Sequence, residues 1–162
     1  MTTHKKYSLK EALLQEVATQ TDEFIETLTS SVTSASFDGY ADSFSLKQGE
    51  CTTVLEIHID DPNESIAWVN SLSTLGKEGK PSPDCYRKGF GGQMMQALVQ
   101  AADAHGITLE LIAAPPAYLK RQMPELPDKD QLAEFYGDYG FHITQKNSAQ
   151  VFMRRDPSPS PA

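Results

Sequence analysis

The sequence predicts a mixed α/β fold: an N-terminal helix, a three-strand antiparallel meander, then helix, strand, helix and two strands around a central mixed sheet. Three observations predict it. Thr52 to Ile59 alternates, with Val54, Glu56 and His58 on one side and Leu55, Ile57 and Ile59 on the other, the period of a strand. After Gly92, the residues Met94, Met95, Leu98, Val99 and Ala102 recur at helical spacing. Ile107 to Ala114 is an apolar run broken by Glu110, the pattern of a central strand buried on both faces. Strand, helix and strand in that order imply a crossover joining two parallel strands, Ser65–Leu75 and Ile107–Ala114. The chain of 162 residues suits one domain, residues 1–156, with a disordered tail over 157–162.

The elements follow in order. Ser8 and Glu11 have capping-box spacing, and Leu9, Leu13, Val17, Phe24 and Leu28 continue an apolar stripe. Thr19 to Thr21 interrupts that stripe, so the segment reads as one long helix or two short ones. The serines and threonines of Thr29 to Ser36 end it. Phe37 to Leu46 reads as a strand and Lys47-Gln48-Gly49 as a hairpin turn. Asp60-Asp61-Pro62-Asn63 is a turn, and Ser65 to Leu75 is a third strand, carrying Trp68. Gly76 to Asp84 is a polar loop rich in Gly and Pro, expected to be flexible. Gly106 suits the left-handed position that ends a helix. Pro115 and Pro116 stop the next strand, and Ala117 to Pro127 reads as loop or ragged helix. Asp128 with Gln131 caps a last helix, whose apolar face is Leu132, Phe135, Tyr136 and Tyr139, and Gly140 ends it. Phe141–Thr144 and Gln150–Arg154 are short strands around a turn.

Composition narrows the function classes. At 39% hydrophobic and 22% charged the chain has the make-up of an ordinary globular protein. The formal charge of −8 disfavours broad binding to nucleic acid or to an anionic membrane, both of which want a basic surface. No apolar run approaches a membrane span. Met1 to Lys6 is basic but leads into a charged helix rather than a signal peptide. A cytoplasmic location is therefore expected, with Cys51 and Cys85 as two reduced thiols. The His and Cys residues show no metal-ligand spacing, so no metal is expected.

The most informative stretch is Tyr86-Arg87-Lys88-Gly89-Phe90-Gly91-Gly92, which runs into a helix. Glycines admit close backbone approach, and a helix N-terminus favours anions, phosphate above all. A dinucleotide fingerprint fails here, because Met94 stands where its third glycine belongs and a loop precedes the turn. A phosphate-binding Gly-x-x-x-x-Gly-Lys-Ser/Thr loop is absent.

The stretch resembles instead the acyl-coenzyme A pyrophosphate loop of the GCN5-related N-acetyltransferases (GNAT family), Gln/Arg-x-x-Gly-x-Gly/Ala. Gly89 and Gly91 match, and Tyr86 stands where the family has Gln or Arg. Phe135-Tyr136 followed by Gly140-Phe141 resembles the family's later motif, and a helix, a strand and a loop separate the two. The likeness covers roughly residues 36 to 156. The strand end Leu72-Ser73-Thr74 and the terminal Met153-Arg154-Arg155-Asp156-Pro157 are also similar to compact bacteriophage-type members. Two departures are visible: no strand precedes the first helix, and the loop before the glycine turn is long.

The resemblance implies transfer of an acetyl group from acetyl-CoA, as co-substrate, to an amine. The acceptor, a small molecule or a protein, attacks the thioester directly. It implies that the amides of Arg87, Lys88, Gly89, Phe90, Gly91 and Gly92 bind the pyrophosphate, with Lys88 adding charge. It implies that backbone groups of Leu72, Ser73 and Thr74 hold the pantetheine arm where two strands splay, aiming an N–H at the thioester oxygen. Tyr136 is the implied general acid, since a phenol near pKa 10 stays protonated at pH 7; an aromatic beside Leu132 and Phe135 is otherwise core. The base stays open among Glu56, His58 and Glu110. His105, His142, Tyr139 and Cys85 carry no assigned chemistry. A homodimer is compatible with all of this. The alternative from a different class is a non-catalytic binding module of the same fold that acts on a protein partner.

Overall fold

The computed structural model describes residues 9–80, 82–85, 88–115, 120–121, 124 and 126–158, with side chains for all of these except 9–19, 78 and 83. Ser8 of the expected first cap, Tyr86, Arg87, most of the ragged segment before Pro127, and the tail from residue 159 lie outside them. The first helix, α1, spans Leu9–Ser30 without a break. Thr21 does not interrupt it: its hydroxyl donates to the Pro62 carbonyl at 3.2 Å, which satisfies the buried polar group. Phe24 and Leu28 are fully buried one and two turns on. At the end, the hydroxyls of Thr29, Ser30 and Ser31 donate back to the carbonyls of Ile25, Glu26 and Thr27, a competition that weakens helices.

Four strands follow rather than three: β1 (Ser34–Phe37), β2 (Asp42–Gln48), β3 (Cys51–His58) and β4 (Ile66–Leu75). The expected strand Phe37–Leu46 is split because Asp38 makes a turn of its own, its carboxylate accepting from the N–H groups of Tyr40 and Ala41. Gly49, at φ +63°, turns β2 into β3, and the antiparallel ladder runs from Gln48↔Cys51 to Asp42↔Ile57. The Gly76–Asp84 loop, expected as flexible, contains two short 3-10 turns, Lys77–Gly79 and Pro83–Cys85.

Helix α2 (Phe90–His105) buries Met94, Met95, Leu98, Ala101 and Ala102. It ends at Gly106, φ +67°, whose N–H reaches the Ala102 carbonyl. Strand β5 (Thr108–Ala113) then runs parallel to β4. Helix α3 (Lys129–Gly137) has the full capping box, Asp128 accepting from the Gln131 N–H while the Gln131 side chain accepts from the Asp128 N–H. Strands β6 (His142–Lys146) and β7 (Val151–Arg155) complete one seven-stranded sheet in the order β1-β2-β3-β4-β5-β7-β6. Among the described residues no helix is long and apolar enough to cross a membrane.

The core lies on one face of this sheet. Leu55, Ile57, Ala67, Val69, Leu109, Leu111, Val151 and Met153 meet Phe24, Leu28 and the buried side of α2. The opposite residues of β5, Thr108, Glu110 and Ile112, are only half-buried, so the expectation of burial on both faces is corrected. A second correction concerns the thiols: Cys51 and Cys85 are joined in a disulfide, with Cα atoms 5.6 Å apart. Sequence spacing could not show this. β4 returns antiparallel along β3 until Leu75 pairs with Thr52, which brings the chain after β4 back to the first residue of β3.

Candidate functional site

The two central parallel strands pair only over Ile66–Val69 and Thr108–Leu111. Beyond that point β4 continues through Asn70–Leu75, still paired to β3. β5 continues through Ile112 and Ala113, still paired to β7. Their facing edges part, leaving N–H and C=O groups of both strands directed into a notch. A bulge marks the vertex. Val69 pairs with Ile57 and Ser71 with Glu56, so Asn70 is the extra residue. Bulges bend a strand and re-aim its groups, and they are over-represented next to active sites. Leu72, Ser73 and Thr74, singled out from the sequence, lie on the splayed part of β4.

The glycine turn supplies the second component. Gly89 caps α2 in the left-handed region, φ +80°, where an L-residue is strained. Its carbonyl accepts from the Gln93 N–H, the first bond of the helix. Among the described residues no side chain caps α2, and the amides of Phe90, Gly91 and Gly92 precede any intrahelical bond. Lys88 is exposed beside them. Tyr86 and Arg87 lie outside the described residues.

Of the two glycines after the cap, Gly92 is explained by close approach, while a Cβ on Gly91 would make ordinary van der Waals contact. A Cβ on Gly91 would lie 3.7 Å from the tip of the Phe135 ring and 3.9 Å from a Leu72 methyl. A Cβ on Gly92 would meet the Tyr139 hydroxyl at 2.5 Å. The first turn of α2 is thus gathered against splayed β4 through Leu72 and against α3 through Phe135 and Tyr139. This is the meeting of both sequence motifs, the glycine turn and the aromatic helix. Sequence reading treated Tyr139 as packing and did not place it on this turn.

Two further devices fix the geometry, and neither was read from the sequence. Arg155, 7% exposed, donates to the Tyr139 carbonyl at 2.7 Å and to both oxygens of Asp103 on α2 at 2.7 and 2.9 Å. Asp103 also accepts from the Ser158 N–H. The Arg155 guanidinium holds the Asp103 carboxyl below the usual carboxylate range. Gly140, φ +93°, lies over this clamp, since a Cβ there would be 3.1 Å from the Arg155 Nε. The signal was available: Val151, Met153 and Arg155 alternate onto one face, and all three are buried. At the other end of α2, the tip of the β2–β3 hairpin holds the turn. Gln48 donates to the Gln93 side chain, and Cys51 is bonded to Cys85, which ends the 3-10 turn before the glycines. The Gln48 Oε1 is buried without a partner among the described residues.

Tyr136 is 7% exposed, set between Phe135 and Phe141 with ring centroids 5.2 and 5.8 Å away. Burial pushes its phenol up to about 12. Its hydroxyl has no hydrogen-bond partner among the described residues. The three base candidates separate. Both ring nitrogens of His58 are engaged, Nδ1 with the Tyr40 carbonyl and Nε2 with Asp60. Glu110 accepts from Arg154 at 3.2 Å. Glu56 faces the open side of the sheet opposite Ser71, beside the bulge, with no ion pair or hydrogen bond to its side chain among the described residues. His105 is tied to Thr27 and Glu23 of α1 at the far end of α2, away from the notch. His142 is exposed on edge strand β6. Among the described residues no group of His, Cys, Asp and Glu converges as a metal site. A cleft of about 440 Å³ lies between the hairpin tip (Lys47, Gly49, Glu50, Thr52) and the loop after β4 (Gly76, Lys77, Gly79), floored by Val54 and Leu75.

No family model matches the sequence, and no curated protein does. Among solved structures it is similar to the crystal structure of PH1933 from Pyrococcus horikoshii OT3, at 14% sequence identity over 97% of each chain, with a TM-score of 0.47.

Proposed function

We propose that this chain is an N-acetyltransferase of GNAT type that moves an acetyl group from acetyl-CoA to an amine. The observation that carries the reading is the notch: parallel β4 and β5 part after Val69 and Leu111, at the Asn70 bulge, and the loop after β4 leads to the start of α2, where Gly89 is the cap and no described side chain bonds the first amides. Free strand edges suit an extended amide-bearing arm, which adds to a sheet as a strand does. Free amides at a helix N-terminus suit a pyrophosphate. The two lie together because Leu72 and Phe135 converge on Gly91.

In the reaction the amine nitrogen bonds to the acetyl carbon, the carbon–sulfur bond breaks, the nitrogen gives up a proton and the sulfur takes one. Within Leu72, Ser73 and Thr74, the backbone N–H groups that the ladder with β3 does not use are the donors on hand for the carbonyl oxygen as its charge develops. Lys88, Gly89, Phe90, Gly91 and Gly92, with Arg87 by sequence, hold the pyrophosphate. Tyr136 supplies a hydroxyl. With its phenol near 12, full proton transfer to a thiolate of ordinary pKa ≈ 8.5 is uphill by roughly 5 kcal/mol. The role it suits is hydrogen-bond donor to the departing sulfur. Glu56 is the carboxylate free to accept the amine proton, directly or through water.

The test is release of free coenzyme thiol from acetyl-CoA against a panel of amines, with mass spectrometry of protein acceptors. Turnover on at least one amine is expected, and Tyr136→Phe is expected to lower kcat with coenzyme affinity kept. Equal loss of both would make Tyr136 structural. A second reading, a binding module without catalysis, draws on the exposed Phe37 and Tyr40 at the β1 edge, 56% and 85% exposed. Coenzyme binding without turnover on any amine would favour it.

A further inference from the structure

We infer that the Cys51–Cys85 disulfide is a redox control on coenzyme binding, with the oxidised form the competent one; the inference rests on the acetyltransferase reading. The bond's position carries it. Cys51 is the first residue of β3, at the hairpin tip, and Cys85 ends the 3-10 turn that leads into the glycine cap of α2. Among the described residues between β4 and that cap, three backbone bonds close within the segment: Gly76 N–H to the Lys80 carbonyl, Gly79 N–H to that of Gly76, and Cys85 N–H to that of Ser82. The disulfide is its covalent tie to the sheet, and the Gln48–Gln93 hydrogen bond is the neighbouring non-covalent one.

Neither cysteine belongs to the packed hydrophobic cluster that seats α2. The body of α2 is fixed by Met94, Met95, Leu98, Ala101 and Ala102, each at most 1% exposed, and by the Arg155–Asp103 clamp. Reduction therefore acts locally, on the loop before α2, as partial opening does in native proteins. The amides of Phe90, Gly91 and Gly92 converge on an anion only while Gly89 holds its left-handed cap. A ligand that needs one conformer binds more weakly in proportion to that conformer's population.

The chemistry balances as thiol–disulfide exchange with a dithiol reductant. A reductant thiolate attacks the sulfur of Cys51, which is half-buried while Cys85 is buried. The S–S bond breaks as a mixed disulfide forms, and Cys85 leaves and takes a proton. The reductant's second thiol then displaces Cys51, which takes the second proton, and the reductant departs as a disulfide. Two electrons and two protons pass to the protein.

The experiment measures acetyl-CoA affinity by calorimetry at 10 °C for the oxidised protein, the protein held in excess phosphine reductant, and Cys51→Ala/Cys85→Ala. Far-UV circular dichroism verifies the fold, and hydrogen exchange follows residues 88–93. The expected result is a dissociation constant at least about five-fold higher in both disulfide-free forms, the lower end of ordinary coupling between sites, with faster exchange confined to the start of α2. Equal affinity with and without the bond overturns the inference and leaves the acetyltransferase reading standing. No binding in any form overturns the reading itself and the inference with it.

Discussion

Replacing Arg155 with Met removes a guanidinium and keeps much of the side chain's length. Arg155 is 7% exposed and makes three short bonds, to the Tyr139 carbonyl and both Asp103 oxygens. Breaking a buried ion pair from one side costs about 3–5 kcal/mol, because the partner is left uncompensated. Here the partner can partly rehydrate, since the Asp103 side chain is 28% exposed. The expected loss is therefore at the low end, about 3 kcal/mol, or a fall in Tm of roughly 6–12 °C at 2–4 °C per kcal/mol for a chain of this size. The pH dependence carries an independent sign. The folded Asp103 pKa is lowered, chiefly by the Arg155 hydrogen bond. Its stabilisation is therefore present above the unfolded value near 3.9 and lost as pH falls through the folded value. Urea denaturation of both proteins from pH 7 to pH 3 should show the gap narrowing toward the acid end. Asp103→Asn should cost less in the Arg155→Met background than in the wild type. A loss below about 1 kcal/mol, or a gap independent of pH, would refute the clamp.

Gly92→Ala should be neutral or destabilising in the wild type, because the new methyl meets the Tyr139 hydroxyl. With Tyr139→Phe also present it should stabilise by up to about 1 kcal/mol, the helix preference of Ala over Gly; equal effects in both backgrounds would separate Tyr139 from the turn. His58 should titrate above its ordinary 6.5 by NMR, because both ring nitrogens face acceptors and only the cation donates from both. Its support for the Tyr40 turn is complete below that ordinary value and fades as pH rises through the folded one, and an unshifted titration would argue against the pairing.

Much of this architecture was legible where local chemistry and tertiary position agree. The Asp128–Gln131 box, the Gly106 stop, the alternation of β3 and the parallel crossover all follow from neighbours in sequence. The misreadings come from contacts made at a distance. Thr21 stays helical because the Pro62 carbonyl, remote in sequence, receives its hydroxyl. Asp38 breaks a strand with its own carboxylate, a signal local to the sequence. The disulfide depends on β4 returning to the start of β3. The Asn70 bulge is a feature of pairing, invisible in Val69-Asn70-Ser71 alone. At the site, the motifs located the glycine turn and the aromatic helix. That Leu72, Phe135 and Tyr139 meet Gly91 and Gly92 is set by packing.

Thermal unfolding with and without acetyl-CoA tests the proposed coenzyme site most directly. A ligand of the native state at a hundred times its dissociation constant stabilises by about 2.7 kcal/mol, which raises Tm by roughly 5–11 °C in a chain of this size. The predicted result is a concentration-dependent rise of that order for the oxidised protein. An unchanged Tm at millimolar acetyl-CoA would contradict a coenzyme site between β4, β5 and the start of α2.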